Sequence, residues 1–478
     1  MNEKAIRIIN GKEIPCMISK FDWREMEMEL VPFNQNDARD VHNDFSVGYQ
    51  AIDDMPQLDF SWRGKTYSAK SSCSGFNSSI NGLDSAKLCL YNLQCKDNLQ
   101  HGDRILFYIP HYPNKAFWEE VTYWSDKQNG FSPWQQDLCR LKINERDWII
   151  RKAMLDPNSN IPKPYDLLPY PSKSAVFCGC FLETHIQECE TVPFLFDMAK
   201  AICRLEGLSV GHFIMWQTAW ISRSNEYFLF SASSIRTSSQ QFYAVHTIKN
   251  VPDISPGCII SSTINNYLID KDTWDPILYW FLASLYNASY VHVALHLQFP
   301  LLERIVDNAF LALSEGFTDE KIATDDFKVA LRAARKKVKE ILGEDKSIAQ
   351  SEFSEIDKLL RFWTKNTKNG PAYKDKIILI FQYAGYTLSE AEIEELSERN
   401  ALAHSVYMRT GDPLEIHHLF ISVTQKTYAL LLAMLGYGGS FCIFNSRFHI
   451  ENLLPKYSKI SLPSLRKAGR QCRLELKA

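Results

Sequence analysis

From Ala5 to about Pro110, apolar and polar positions alternate in short runs, the period of strands that bury one face. Ala5–Ile9, Met26–Val31, Phe45–Ala51, Leu58–Trp62, Ala86–Leu93 and Arg104–Ile109 read as strands. Gly11-Lys12, Arg63-Gly64 and Gly102-Asp103 supply turn chemistry beside them. Ser71–Gly82 reads as a polar loop. Short strands at this spacing predict a sandwich- or barrel-like β domain. Signals are mixed from His111 to Pro171, where Trp118, Tyr123, Trp124, Trp134 and Trp148 stand beside Pro-rich stretches. Phe194–Leu205 then reads as a short helix ending at Gly207, followed by strands at Val210–Ile221, Tyr227–Ser231, Phe242–Ile248 and Cys258–Ile269.

Near Asp270 the period changes from two to between three and four. Trp274–Ser284 and Tyr290–Leu313 read as helices, with Pro276 and Pro300 as start or kink positions. Asp325–Leu342 reads as a basic helix with Lys328, Arg332, Arg335, Lys336, Lys337 and Lys339 on it. Ile356–Trp363 and Lys376–Ala384 follow, separated by the loop Asn366–Pro371. Ser389–Met408 and a long helix from Pro413 to Leu435 complete the series. Asp412 is placed to cap that last helix, Pro413 to open it and Gly436 to close it. The expected class is α+β, with a β-rich binding or sensing region over residues 1–270 and an all-α bundle of five or six helices over 271–478.

Composition narrows the function classes. The 478 residues are 45% apolar and 23% charged, and the net charge of −3 confines any nucleic-acid binding to local patches. One such patch is the basic helix, and another is the tail Lys456–Ala478, with seven Lys or Arg against Glu475. The helix reads equally as a solvated face, and the tail reads as an unordered basic tail that could also clamp RNA. No apolar run is long enough to span a bilayer, and no apolar signal region follows Met1–Lys4, so no membrane partner and a cytoplasmic location are expected. Twelve scattered cysteines then read as reduced, mostly buried thiols. Cys178, Cys180, His185 and Cys189 offer four soft ligands within twelve residues. The spacing departs from that of a common zinc knuckle, and Ala175–Leu182 reads as a buried strand, so structural cysteines are the expectation. No phosphate loop, nucleophile elbow or paired-carboxylate motif occurs in residues 1–270.

Chemistry concentrates on Ser389–Met408. Ser389 with Glu392 fits a capping box, with Thr387 and Glu390 as an overlapping alternative. Ile393, Leu396, Asn400, Ala403 and Tyr407 share one face, and His404 lies one turn beyond Asn400. On a continuous helix Arg399 stands roughly 140° around and roughly 7.5 Å along the axis from His404, so a phosphodiester fits between them, more readily if a second copy of the helix faces the first. A near-neutral imidazole suits proton transfer, a guanidinium suits the charge on a phosphorane, and a carboxamide can orient the first or donate to the second.

Arg399-Asn400 followed by three residues and His404, late in a helical domain, resembles the Arg-x4–6-His signature of HEPN domains, many of which are metal-independent ribonucleases acting as homodimers. An acidic, hydrophobic helix precedes the motif and a long apolar helix follows it. About a hundred residues upstream, Leu301-Leu302-Glu303-Arg304-Ile305 supplies a helix with a central acid. With a large β-rich region in front, which includes the helix-then-strand stretch Phe194–Ile221, the layout resembles the ApeA-like proteins of bacterial phage defence. The resemblance implies an RNA substrate cut by attack of the 2′-hydroxyl on the adjacent phosphate, leaving a 2′,3′-cyclic phosphate and a 5′-hydroxyl. It implies Arg399, Asn400 and His404 as catalytic residues, with Glu303 contacting Arg399 or joining the site and Ser405 as an accessory donor. It further implies a homodimer through the helical domain, a phage-derived trigger at the β-rich region, and no cofactor or metal.

Two other readings stand beside this one. In the first, the helical domain is a non-catalytic dimerising scaffold, Arg399 pairs with Glu395 or Glu398, and the β region binds a ligand or protein. In the second, Cys178, Cys180, His185 and Cys189 hold zinc in a nucleic-acid enzyme. His417 and His418 are adjacent on one helix, so they point in different directions, and they read as ordinary residues.

Overall fold

The structure, a computed structural model, describes residues 3–33, 51–77, 85–110, 137–156, 161–164, 167, 176–188, 190–211, 213–232, 256–286, 291–313, 332–333, 336–337, 340, 373–397, 412–443 and 446–450. It divides into two compact units, Met1–Ala288 and Ser289–Ala478.

In the first unit the alternating segments form β1 (Glu3–Ile9), β2 (Lys12–Asp22), β3 (Glu27–Pro32), β4 (Gln57–Trp62), β5 (Lys65–Asn77) and β6 (Ser85–Cys95). Antiparallel pairing in the order β1-β2-β3-β6-β5-β4 returns to β1 and closes a six-stranded barrel. Alternate residues fill it, among them Ile14, Cys16, Met28, Leu30, Leu58, Phe60, Tyr67 and Leu88. Arg7 is buried between Ala5 and Ile9 on the same strand face, while its neighbour Ile6 is turned outward. Closure leaves the barrel strands no open edge, which suits strands this rich in apolar residues.

β6 also pairs with a second set of strands. These are β7 (Arg104–Ile109), β8 (Asp137–Ile143), β9 (Arg146–Asp156), β10 (Ile161–Pro164), β11 (Val176–His185), β12 (Thr218–Arg223) and β13 (Glu226–Ala232). From β6 the order runs β13-β12-β7-β11-β9, with β8 and β10 both on β9. Helix α1 (Val192–Val210) contributes Phe196, which meets Phe107 of β7 at 5.8 Å, and Phe107 also contacts Trp148 and Trp216. Trp148 and Trp220 are fully buried, so both rings belong to the core. Trp118, Tyr123, Trp124 and Trp134 lie outside the described residues.

Several expectations are corrected here. Ser71–Gly82 is not a loop over its first half, since β5 continues to Asn77. The backbone of β6 carries this polar stretch, and the Ser71 and Ser74 hydroxyls donate to the carbonyls of Pro56 and Lys87. Helix α1 passes Gly207 and stops at Gly211, whose φ of 71° is the left-handed ending glycine tolerates; the following strand therefore starts at Thr218 rather than Val210. Cys258–Ile269 is helical, within α2 (Pro256–Ile269). Ile259, Ile260, Thr263, Ile264 and Tyr267 are buried at helical spacing, so tertiary packing outweighs the strand preference of a β-branched run. α3 (Lys271–Tyr286) follows. Asp275 draws Lys200 and Arg204 of α1 and the Tyr267 hydroxyl of α2 together at 2.6, 3.1 and 2.7 Å. The first unit thus reaches Ala288, past the expected change at Asp270.

The second unit holds α4 (Val291–Leu313), α5 (Tyr373–Tyr383), α6 (Glu390–Ser397) and α7 (Pro413–Met434). It also holds a hairpin, β14 (Gly439–Ile443) with β15 (Ser446–Ile450), which the all-α expectation lacks. Tyr428 of α7 packs edge-on against Phe441 of β14, and the buried Thr424 hydroxyl meets the Gln298 amide of α4 at 2.7 Å. Asp412 caps α7 by accepting from the Leu414 N–H, Pro413 opens it, and Gly436 follows its end with a φ of 92°. Arg332, Lys336 and Lys337 are helical and exposed. Residues 45–50 of the strand expected at Phe45–Ala51, the segments expected at Phe242–Ile248 and Ile356–Trp363, and the tail from Lys456 lie outside the described residues, as do the other basic positions of that helix.

Candidate active site

The helix that leads into the Arg-Asn-x3-His stretch starts as its sequence dictates. The Ser389 N–H and hydroxyl donate to Glu392 Oε2 at 2.9 and 3.0 Å, and the Glu392 N–H donates back to Ser389 Oγ at 3.3 Å. This is the reciprocal capping box, which satisfies N–H groups that a helix start leaves without an internal partner. Ile393 and Leu396 are buried, as the apolar face requires. The described part of α6 ends at Ser397. Arg399, Asn400, His404 and Ser405 follow it, outside the described residues, and so does Glu398.

α6 is fastened to its neighbours by polar contacts. Lys426 of α7 reaches Glu392 Oε1 at 2.6 Å, and the Tyr386 hydroxyl donates to the same oxygen at 2.8 Å. The Lys426 ammonium also lies 5.2 Å from the centre of the Tyr386 ring, within cation–π range. Burial pushes the Glu392 carboxyl upward, but Lys426, the Ser389 N–H and the Tyr386 hydroxyl outweigh it and hold the group at about 2. The Tyr386 phenol moves the other way, pushed up by burial and by the carboxylate it faces. Ser422 of α7 donates to Glu395 Oε2 at 2.5 Å, so this Glu395 oxygen is engaged from α7. Lys374 of α5 pairs with Glu394 on another side of α6.

Glu303 is half-buried on α4 and carries interactions of its own. It lies one turn before Asp307, which pairs with Lys376 of α5 at 2.7 Å, so it shares the face that looks toward α5. His417 and His418 are exposed on α7.

Three residues of the cysteine cluster, Cys178, Cys180 and His185, lie along strand β11. Cys180 and His185 are five residues apart on β11, roughly 16 Å along an extended strand, too far to share one tetrahedral ion. Cys180 is fully buried, and burial pushes its thiol well above the usual value; Cys178 is pushed up to about 11 for the same reason. Cys178 Sγ points at the Ala153 carbonyl. Gly179 between them has a φ of 148°, and an added Cβ would collide with the Ile109 carbonyl oxygen. The glycine serves a bulge in the β11–β9 pairing, where the register shifts between Phe177 and Gly179. Cys189 lies outside the described residues. Among the described residues no His, Cys, Asp and Glu group could hold a metal ion.

Family models, curated proteins and solved structures return no match to this chain. Sequence reasoning finds Ser389 and Glu392 but misses Tyr386, Ser422 and Lys426. A signal for them exists: Ser422 and Lys426 are four apart on one helix face, Glu392 and Glu395 three apart on another, a matched set of donors and acceptors.

Proposed function

We propose that this chain is a metal-independent endoribonuclease of the HEPN type, acting as a homodimer in bacterial anti-phage defence. One observation carries the reading: Arg399-Asn400-x3-His404 begins two residues beyond a helix whose start is capped and whose side is pinned to the long α7. A reactive group needs a support that is held in place, and the described part of this helix is held by its cap and by its contacts to α7. In the proposed reaction His404 takes the proton of the RNA 2′-hydroxyl as that oxygen attacks the adjacent phosphorus, the P–O5′ bond breaks, and the leaving 5′-oxygen is protonated by the imidazolium or by water. Arg399 holds the charge on the phosphorane oxygens, and Asn400 orients the imidazole or donates to an oxygen. Glu303 is the accessory acid of this reading. Two-fold pairing through the helical unit brings a second set of the same groups to one groove. The β-rich unit is the module that meets a phage-derived trigger.

The test is direct. Purified protein and its His404→Ala variant are incubated with total RNA in EDTA, and the cut ends are mapped. Wild type is expected to leave 2′,3′-cyclic phosphate and 5′-hydroxyl ends, and the variant none, with folding and dimerisation unchanged. Intact RNA with wild type, or equal cutting by both, transfers the case to a non-catalytic dimerising scaffold.

A further inference from the structure

The turn between β8 and β9 consists of Asn144 and Glu145, both with positive φ, and it sets Ile143 opposite Arg146. Arg146 and Trp148 are two apart on β9 and so share one face of the sheet. That face is the one α1 covers: Trp148 stacks on Phe107 at 6.3 Å, and Phe107 meets Phe196 of α1 at 5.8 Å. Val192, one turn before Phe196, lies on the same side of the helix. The Arg146 guanidinium carbon stands 5.8 Å from the centre of the Trp148 ring, and its Nη2 pairs with Glu190, the residue just before the Thr191 cap position. The end of β9 and the start of α1 therefore meet at Arg146.

Donors collect at this place without acceptors to match them. Arg146 is 6% exposed and Trp148 0%, yet Arg146 Nε and Nη1 and Trp148 Nε1 reach no hydrogen-bond acceptor among the described residues. The helix start adds to the set. Thr191 makes no side-chain cap bond, Pro193 carries no N–H, and the Leu195 N–H bonds to the Thr191 carbonyl at 3.3 Å. The N–H groups of Val192 and Phe194 thus have no partner inside the helix. Glu190 has both oxygens engaged, Oε1 by Arg146 and Oε2 by the Gln187 N–H at 2.9 Å. A buried donor left unbonded is costly, so these groups call for an acceptor that the fold itself does not supply. Water would bring two more donors, whereas a phosphate dianion brings acceptors alone and gains from the positive end of α1.

We infer that the start of α1, together with Arg146 and Trp148 of β9, binds a phosphate group, free or carried on a nucleotide. Half-buried Trp216, 5.1 Å from Phe196 and 5.3 Å from Phe107, is the ring on which a nucleobase would stack. All of these residues belong to the first unit, and the inference is independent of the ribonuclease reading.

Calorimetric titration of the full chain with inorganic phosphate and with adenosine monophosphate, at constant ionic strength, tests this. Trp148→Phe keeps a ring and removes one N–H, and Arg146→Lys keeps the charge that faces Glu190 but removes the fork. Each is expected to weaken binding about tenfold. Thr191→Asp gives α1 a carboxylate cap of its own, so it should keep or raise the thermal midpoint while abolishing binding. Loss of stability and loss of a ligand are thereby told apart. Because Thr191 is exposed, this variant decides the matter even where a buried substitution fails to fold. Equal affinity for the two probes assigns a free phosphate, and tighter binding of the nucleotide, lost in Trp216→Leu, assigns a nucleotide. Wild type that binds neither probe at millimolar concentration overturns the inference. Equal binding by wild type and all three site variants overturns it too, since that means an adventitious ion only.

Discussion

Glu392→Gln isolates one carboxylate whose environment is fully specified. Both oxygens are used, Oε1 by Lys426 and Tyr386 and Oε2 by Ser389. Glutamine keeps one acceptor but sets an amide NH2 against a donor, so one side of the network is lost as well as the charge. The drop from the ordinary 4.5 to about 2 sets a ceiling of roughly 3 kcal/mol at neutral pH. A fifth of the side chain meets water, and screening brings the expected loss to about 1–2 kcal/mol. The sign follows from linkage. A carboxyl held lower in the folded state stabilises in full above its unfolded value and loses that contribution as pH falls toward the folded value. The gap between wild type and Glu392→Gln should therefore be constant from pH 7 to about 5 and close between about 4.5 and 2. Urea titrations read by hydrogen exchange in α6 and α7, corrected for intrinsic rates, measure that gap without averaging over the first unit. A gap that persists unchanged to pH 3 would refute the account, because a mere packing defect does not titrate.

Two further substitutions probe other elements. Gly179→Ala should destabilise the first unit by about 2–5 kcal/mol, from a backbone angle alanine resists and a collision with the Ile109 carbonyl; denaturant unfolding followed by β-sheet circular dichroism checks it, and a loss below 0.5 kcal/mol by order of magnitude contradicts it. Asp412→Ala should cost the second unit about 1 kcal/mol by removing the acceptor for the Leu414 N–H, visible as faster exchange in the first turn of α7, with Asp412→Asn close to wild type.

What the sequence made legible was whatever is local. The capping box at Ser389, the Asp412-Pro413 start and the strand Arg104–Ile109 depend on residues a few places apart, and each is found where its signal lies. What it hid was set by distant partners. The Ser-rich end of β5 is a strand because β6 offers it hydrogen bonds. Cys258–Ile269 is a helix because α1 and α3 meet it at Asp275 and cover its apolar side. Arg7 sits inside the barrel because alternation leaves it no other direction, although an arginine in a strand normally argues for the solvent side. At the candidate site the same division holds: the intrahelical cap was readable, while the α6–α7 clamp joins residues 27 to 34 places apart and needed the fold.

Strand β6 is bonded to β3, β5 and β13, so it is wall to the barrel and first rung of the open sheet at once. A nick in the turn after Cys95 would spare the barrel's closure yet strand everything from β7 onward on one thin seam. Scissors applied to the first unit will find no dotted line: fragments ending before Ser85 lose the ring, and fragments beginning after Cys95 lose the rung on which the sheet is hung.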